Sequence, residues 1–298
     1  MIVIWHYRYR WFSSSEDIFG FYQFNFLLCF GYYLHSKVII KYSRKPSMTI
    51  TYEINPPKVI QDTILSQKEL QNSINKLKNK ALKVGQVCKS IHLTDSVLGI
   101  PRISPITAGF FIRDSNNKIK ISASVRVRDR NLISLTQTIC DAILLDLNGI
   151  LILKGDTPPV GPKDSKLIPS DVVKQFNKQG FGKKIELYLS LSSNPDFEKI
   201  HKKIEAQPKG FVTQVISSID QVTRIVDKLK PQGFKIVPCV LLASEKNSKS
   251  AKILNLDWSS YSNDMVGFIK QVHKISGNVL ISSPNDFKGA LEILRKIS

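Results

Sequence analysis

Eight short β-rich runs recur between residues 49 and 282, and helical patterns separate most of them. The runs predicted to be strands are 49–54, 87–93, 119–127, 149–153, 185–191, 210–215, 234–240 and 278–282. The patterns predicted to be helices are 66–83, 132–146, 170–179, 196–206, 219–230, 246–255 with 262–275, and 284–296. Strands that alternate with helices pair in parallel. Eight of them predict an α/β fold, a (β/α)8 TIM barrel, which fills about 250 residues as one domain.

The helical assignments rest on the spacing of apolar residues. Within 132–146, an amphipathic stripe at i, i+3 and i+4 spacing is formed by Leu132, Leu135, Ile139, Ala142 and Ile143. The segment 95–118 shows no such stripe and contains Pro101 and Pro105. We therefore expect a loop there, with at most a short helix.

Residues 1–47 differ in composition from the rest of the chain, because they are crowded with aromatic residues and show no clear periodicity. The stretch from Ile18 to Leu34 falls short of the about 20 apolar residues that span a bilayer, and Gln23 and Asn25 interrupt it. One interpretation is a membrane-associating anchor. The other, which we favour, is an extension upstream of a true start at Met48. The predicted division is thus 1–47, an extension, and 48–298, a catalytic barrel.

The formal charge of +19 raises the question of a nucleic-acid partner. The cations are mostly lysines scattered along predicted helices, such as Lys76, Lys78, Lys80 and Lys83, and exposed aromatic residues do not alternate with them. We therefore predict solvated helix faces and no nucleic-acid partner. A phosphate-bearing cofactor or a polyanionic substrate stays compatible with this charge, and so does a homo-oligomer.

The four cysteines are widely spaced and form no CxxC motif. Such cysteines are typical of reduced thiols that serve as small apolar residues. Together with the lack of a cleavable signal sequence, they favour a reducing, cytoplasmic location.

Polar residues follow the predicted strands, where TIM barrels place their active sites. Glu53 ends the first strand, Lys154-Gly155-Asp156 follows the fourth, and Gln214 ends the sixth. Two carboxyl groups in one mouth can divide into a neutral proton donor and an ionised partner, and a glutamine amide can recognise the edge of a heteroaromatic ring. The alternative is that Glu53 and Asp156 are half-exposed strand-end residues that pair with Arg126 and Lys154.

Three ordered segments, YEINPPK (52–58), LILKGDTPP (151–159) and GFVTQ (210–214), resemble those of the methylenetetrahydrofolate reductase family. TDSVLGIPRISP (94–105) and RDRN (128–131) are similar to its short, single-domain branch in archaea and acetogenic bacteria. The resemblance covers residues 49–298. It implies reduction of 5,10-methylenetetrahydrofolate to 5-methyltetrahydrofolate by hydride from FAD, with NAD(P)H or another reductant as the electron source, in one-carbon and methionine metabolism.

The resemblance also implies roles for individual residues. Glu53 matches the general acid that protonates a folate nitrogen as the imidazolidine ring opens to an iminium. Asp156 matches the carboxylate beside flavin and folate, and Gln214 matches the glutamine that recognises folate. The implied cofactor-binding residues are Thr94, Ser124, Arg126, Lys154, Gly155, Asp156, Lys202 and Lys203.

The chain departs from the family pattern on the side that contacts flavin. Ser124 stands where the family has a histidine, and the fifth strand offers Ser190 and Asn194 instead of a tyrosine and a histidine. A folate-binding barrel without flavin, acting as a methyl-transfer partner or a regulatory subunit, is therefore the alternative function. A basic RNA- or membrane-associated protein that uses the barrel as a scaffold is a third hypothesis.

Overall fold

A computed structural model describes residues 48–59, 66–116, 118–158 and 164–298. These residues belong to one compact unit, Pro46–Ser298. The predicted extension 1–47 lies outside the described residues.

Eight parallel strands close into a barrel in chain order, and β1 pairs with both β2 and β8. The strands are β1 (Ile50–Ile54), β2 (Ser90–Leu93), β3 (Lys120–Arg126), β4 (Gly149–Leu153), β5 (Glu186–Leu191), β6 (Gly210–Val215), β7 (Lys235–Leu241) and β8 (Val279–Ser282). The predicted (β/α)8 TIM barrel is confirmed.

Helices cover the outside of the barrel. They are α1 (Gln67–Gly85), α2 (Pro105–Ser115), α3 (Leu132–Leu144), α4 (Pro169–Lys178), α5 (His201–Glu205), α6 (Ile219–Leu229), α7 (Ser248–Ile253), α8 (Met265–Ser276) and α9 (Phe287–Ile297). In α3 the predicted stripe is confirmed, because Leu135, Ile139 and Ala142 are fully buried. Among the helices that the structure describes, none combines the length and the apolar character needed to cross a bilayer.

The prediction of a loop with at most a short helix over 95–118 is wrong, because α2 has 11 residues. Pro105 is the first residue of this helix rather than a break in it, and Ser104 caps it by accepting a hydrogen bond from the Ile106 amide at 3.2 Å. Proline suits this position because the first turn of a helix has no use for its missing N–H. Conversely, the helix predicted over 196–206 shrinks to the five residues of α5.

Alternation along the strands separates two environments. In β1, Ile50, Tyr52 and Ile54 are buried towards the helices, whereas Thr51 and Glu53 face the barrel interior and are less buried. Successive side chains of a strand point to opposite faces, so every inward residue is set by this period of two. The described cysteines Cys88, Cys140 and Cys239 are free thiols, and Cys140 is exposed.

Candidate functional site

Glu53 is the inward side chain nearest the carboxyl end of β1. Its Oε1 accepts a hydrogen bond from the Ser282 hydroxyl at 2.6 Å. Burial raises the pKa of Glu53, and this effect outweighs the Ser282 hydrogen bond and the charge of Lys80, which both lower it. The carboxyl group is therefore biased towards its protonated form, as a proton donor requires. The last residue of β8, Ser282, was not predicted to belong to the site.

Thr94 follows β2 and lies against the end of β1. Its hydroxyl donates to Asn55 Oδ1 at 2.6 Å, and its amide donates to the Ile54 carbonyl at 3.2 Å. Thr94 is buried, and these two hydrogen bonds link the end of β2 to the end of β1. Its hydroxyl oxygen can still accept a hydrogen bond from a ligand.

Arg126, the last residue of β3, is 1% exposed and ties three loops together. Its Nη1 donates to the Ser96 carbonyl at 2.8 Å, and its Nη2 donates to the Asp156 carbonyl at 2.7 Å. Its Nη2 also lies 3.1 Å from Asp129 Oδ2. The guanidinium thus binds the protein itself.

The side chain of Arg126 explains why the residue between Lys154 and Asp156 is a glycine. The φ of Gly155 is +85°, and a Cβ atom there would lie 2.8 Å from both Cγ and Nε of Arg126. Only glycine adopts such a backbone conformation without strain and leaves the space that the arginine fills. The resemblance implies that Gly155 binds the cofactor, whereas in the structure Arg126 fills the space beside it.

Asp156 is exposed at the mouth and holds the β2–α2 loop. Its Oδ2 accepts a hydrogen bond from the Leu98 amide at 2.7 Å. The loop after β4 also approaches the β2–α2 loop closely at Gly99. A Cβ atom added to Gly99 would lie only 2.3 Å from the Thr157 carbonyl oxygen. Asp156 Oδ1 has no hydrogen-bond partner among the described residues, so it can face a ligand.

Lys154 points away from the barrel interior. Its Nζ lies 2.6 Å from Asp164 Oδ1, in the loop that precedes α4, and this hydrogen bond holds the pKa of Asp164 below its ordinary value. Arg128 lies 3.8 Å from the other oxygen of Asp164. The alternative pairing of Glu53 and Asp156 with Arg126 and Lys154 is not what the structure shows, because Asp129 and Asp164 take those places.

The ends of β5 and β6 contribute the remaining candidate residues. Lys203 Nζ donates to the Ser190 carbonyl at 2.6 Å, and burial lowers the pKa of this lysine. Lys202 is exposed beside it. Gln214 is exposed where the register of β6 against β7 shifts, and its amide bonds to no other described residue. These three side chains remain available to a ligand.

His92, which was not predicted to belong to the site, is part of a polar cluster inside the barrel. Its Nδ1 lies 2.9 Å from Ser122 Oγ, and its Nε2 lies 2.8 Å from Ser124 Oγ. Burial lowers the pKa of His92 to about 4, so the ring is neutral at physiological pH. His92 is also the register partner of Glu53. Ser124, an expected flavin contact, is thus engaged by a histidine of the neighbouring strand.

No family model matches the chain, and no curated protein matches it. Among solved structures, riboflavin lyase RcaE, described with modified FMN and riboflavin, is similar with a TM-score of 0.55 and 9% identity over 84% of this chain and 92% of that one. The GH18 chitinase ChiB from Flavobacterium johnsoniae is similar with a TM-score of 0.48 and 12% identity, over 84% and 93%. At these identities the likeness shows the barrel fold alone.

The mouth therefore combines one carboxyl group biased towards protonation with one exposed carboxylate and one unpaired amide. Glu53 can release a proton, Asp156 can face a positive charge, and Gln214 can both donate and accept a hydrogen bond. Within the described ranges, no group of three His, Cys, Asp or Glu residues could hold a metal ion.

Proposed function

We propose that this protein reduces methylenetetrahydrofolate to 5-methyltetrahydrofolate, as a member of the family that its motifs resemble. The observation that carries the proposal is the environment of Glu53, a carboxyl group inside the barrel mouth whose burial raises its pKa. The resemblance assigns the proton donor to this residue. Its position inside the mouth and its bias towards the protonated form both suit that role.

In the proposed reaction, Glu53 gives its proton to a ring nitrogen of the substrate, and the ring C–N bond opens to an iminium cation. The exposed Asp156 carboxylate stabilises the positive charge that develops. Gln214 orients the pterin edge by donating one hydrogen bond and accepting another. The iminium carbon then accepts a hydride, which reduced FAD would supply when bound.

The residues that best fit a flavin cofactor are the lysine pair of α5. Lys202 is exposed, and Lys203 retains two N–H groups after its bond to Ser190, so both could bind phosphate oxygens. Thr94 offers its hydroxyl oxygen to the ring system. Riboflavin lyase shares the barrel fold, but FAD binding in this protein belongs to the proposal.

A flavin-free folate-binding barrel is the second candidate, and the in-chain contacts of the expected flavin residues favour it. Ser124 is hydrogen-bonded to His92, Lys154 pairs with Asp164, and Arg126 donates hydrogen bonds to carbonyl groups of the loops. Such a barrel would bind the folate through the same Asp156 and Gln214.

The first experiment measures the absorbance of the purified protein, with and without added FAD, and then a single turnover. We expect the yellow spectrum of oxidised flavin and, after chemical reduction, its return when methylenetetrahydrofolate is added, together with formation of 5-methyltetrahydrofolate. Failure to bind FAD, with folate still bound, would select the flavin-free barrel. Bound flavin that does not react with methylenetetrahydrofolate would reject the proposed substrate.

Replacing Asp156 with asparagine should lower single-turnover reduction of methylenetetrahydrofolate by about a hundredfold, because one preorganised electrostatic interaction contributes a few kcal/mol to the transition state. The asparagine oxygen can still accept the Leu98 hydrogen bond, so the fold should persist. Asp171→Asn, which removes an exposed carboxylate from the first turn of α4, is the matched control and should react normally. Equal rates for the two variants would limit Asp156 to holding the loop.

A further inference from the structure

A cavity opens at the amino ends of the strands and reaches into the barrel as far as His92. Its volume is about 420 Å³, and its walls include Thr51, Ser90, Ser122, Gly149 and Leu280. TIM-barrel interiors are normally filled by layers of bulky side chains. Here several inward residues near the amino ends are small, so the layer expected at this level leaves space of the size that ligand sites occupy.

Several polar groups of this cavity lack hydrogen-bond partners among the residues that the structure describes. The side chains of Thr51, Ser90 and Asn278 form no hydrogen bond with any other described residue. Asn148 Oδ1 accepts a hydrogen bond from the Ile121 amide, and the Asn148 NH₂ group has no partner among the described residues. The serines around His92, by contrast, are bonded within the chain. This cavity therefore presents hydrogen-bond donors and acceptors that water or a polar ligand must satisfy.

The opening of the cavity is positively charged. Lys120 and Lys235 line it, and Lys209 directly precedes β6 at the same end. The carboxylate that lines it, Glu186, is engaged by Lys235 Nζ at 2.6 Å and by the Tyr188 hydroxyl at 2.6 Å. Lys120 forms no ion pair with a described residue. One negative charge thus faces three positive charges.

We propose that this cavity binds a small phosphate monoester with a hydroxylated body. The phosphate group would lie at the opening, where Lys120 and Lys235 supply charge-assisted hydrogen bonds. The hydroxylated body would enter between Thr51, Ser90 and Asn278, whose unpaired groups match alternating donors and acceptors. The cavity opens at the amino ends of the strands, whereas Glu53 lies near the carboxyl end of β1, so this proposal does not rest on the reaction proposed there.

Isothermal titration calorimetry at constant ionic strength tests the site with three probes, which are glycerol 3-phosphate, inorganic phosphate and glycerol. Glycerol 3-phosphate should bind with one-to-one stoichiometry and about tenfold more tightly than inorganic phosphate, because it adds hydrogen bonds inside the cavity. Glycerol alone should bind too weakly to detect. No binding of glycerol 3-phosphate, or equal affinity for ester and phosphate, would overturn the proposal.

Two variants locate the binding. Lys120→Glu should weaken glycerol 3-phosphate by at least about tenfold, since it replaces an attraction by a repulsion at short range. Lys252→Glu, at an exposed position of α7, changes the net charge equally and should have little effect. Ser90→Leu should fill the cavity and abolish the preference for the ester while inorganic phosphate still binds. Equal losses in the two lysine variants would mean diffuse attraction to a basic surface, and an unaltered preference in Ser90→Leu would place the ester elsewhere.

Discussion

Glu53→Gln should abolish reduction of methylenetetrahydrofolate while leaving the barrel folded. Glutamine keeps the size of the side chain and can still accept the Ser282 hydrogen bond, but it cannot release a proton to the substrate nitrogen. General acid catalysis contributes about 10²–10⁴-fold, so single-turnover reduction should fall by that factor. If the protein binds flavin, the reduction of that flavin by its electron donor should continue at the wild-type rate.

The same variant should also differ from the wild type in how its stability depends on pH. The folded state raises the pKa of Glu53 above its ordinary value of 4.5, so the folded protein binds its proton more tightly than the unfolded chain does. Wild-type stability should therefore fall as the pH rises above that value, until Glu53 ionises in both states. Because glutamine does not titrate, the melting temperature of the variant relative to wild type should increase as the pH rises above the ordinary pKa of a glutamate.

These two measurements separate the roles of Glu53. A rising stability difference with lost folate reduction is the expected result. A flat stability difference would mean that the carboxyl group is not held protonated in the barrel. Folate reduction at the wild-type rate would place the acid on another residue, and equal slowing of both half-reactions would make Glu53 a structural residue.

The architecture was predictable because the alternation of strands and helices is a local property of the sequence. Each strand run and each amphipathic stripe can be recognised from spacing alone, and the parallel barrel follows from their order. Helix α2 was missed because the residue type alone does not distinguish a proline at the first position of a helix from a proline within a loop. Its capping residue Ser104 was the available signal, since serine directly before proline is typical of a helix start.

The candidate site was predictable in position but not in side-chain direction. Strand ends converge at one face, so Glu53 and Gln214 could be assigned to the mouth from the sequence. The partners of Lys154 and Ser124 could not, because Asp164 lies in a loop and His92 lies on a neighbouring strand. Their contacts depend on how the loops close and on the register between β2 and β3, which no short segment encodes.

Arg126 should have the largest effect on stability among the residues of the mouth. Arg126→Ala would leave the carbonyls of Ser96 and Asp156 without their donor and Asp129 without its cation. The loss of a charged hydrogen-bond donor to two carbonyls, together with the space left by a large buried side chain, should cost about 3 kcal/mol. The free energy of unfolding in urea should fall by that amount, whereas Arg295→Ala, at an exposed position of α9, should change it by less than about 0.5 kcal/mol.

The position of the Asp156 loop should change together with this loss of stability. Gly155 packs against Cγ and Nε of Arg126, so an alanine at position 126 removes the surface on which the Lys-Gly-Asp turn rests. Amide hydrogen exchange in 154–157 and at Leu98 should therefore accelerate in Arg126→Ala and remain normal in Arg295→Ala. Arg126→Lys restores a positive charge but not the guanidinium fork, so it should recover only part of the stability. Full recovery with lysine would show that charge alone is needed, and a stable Arg126→Ala protein with normal exchange would mean that the three loops hold one another without the arginine.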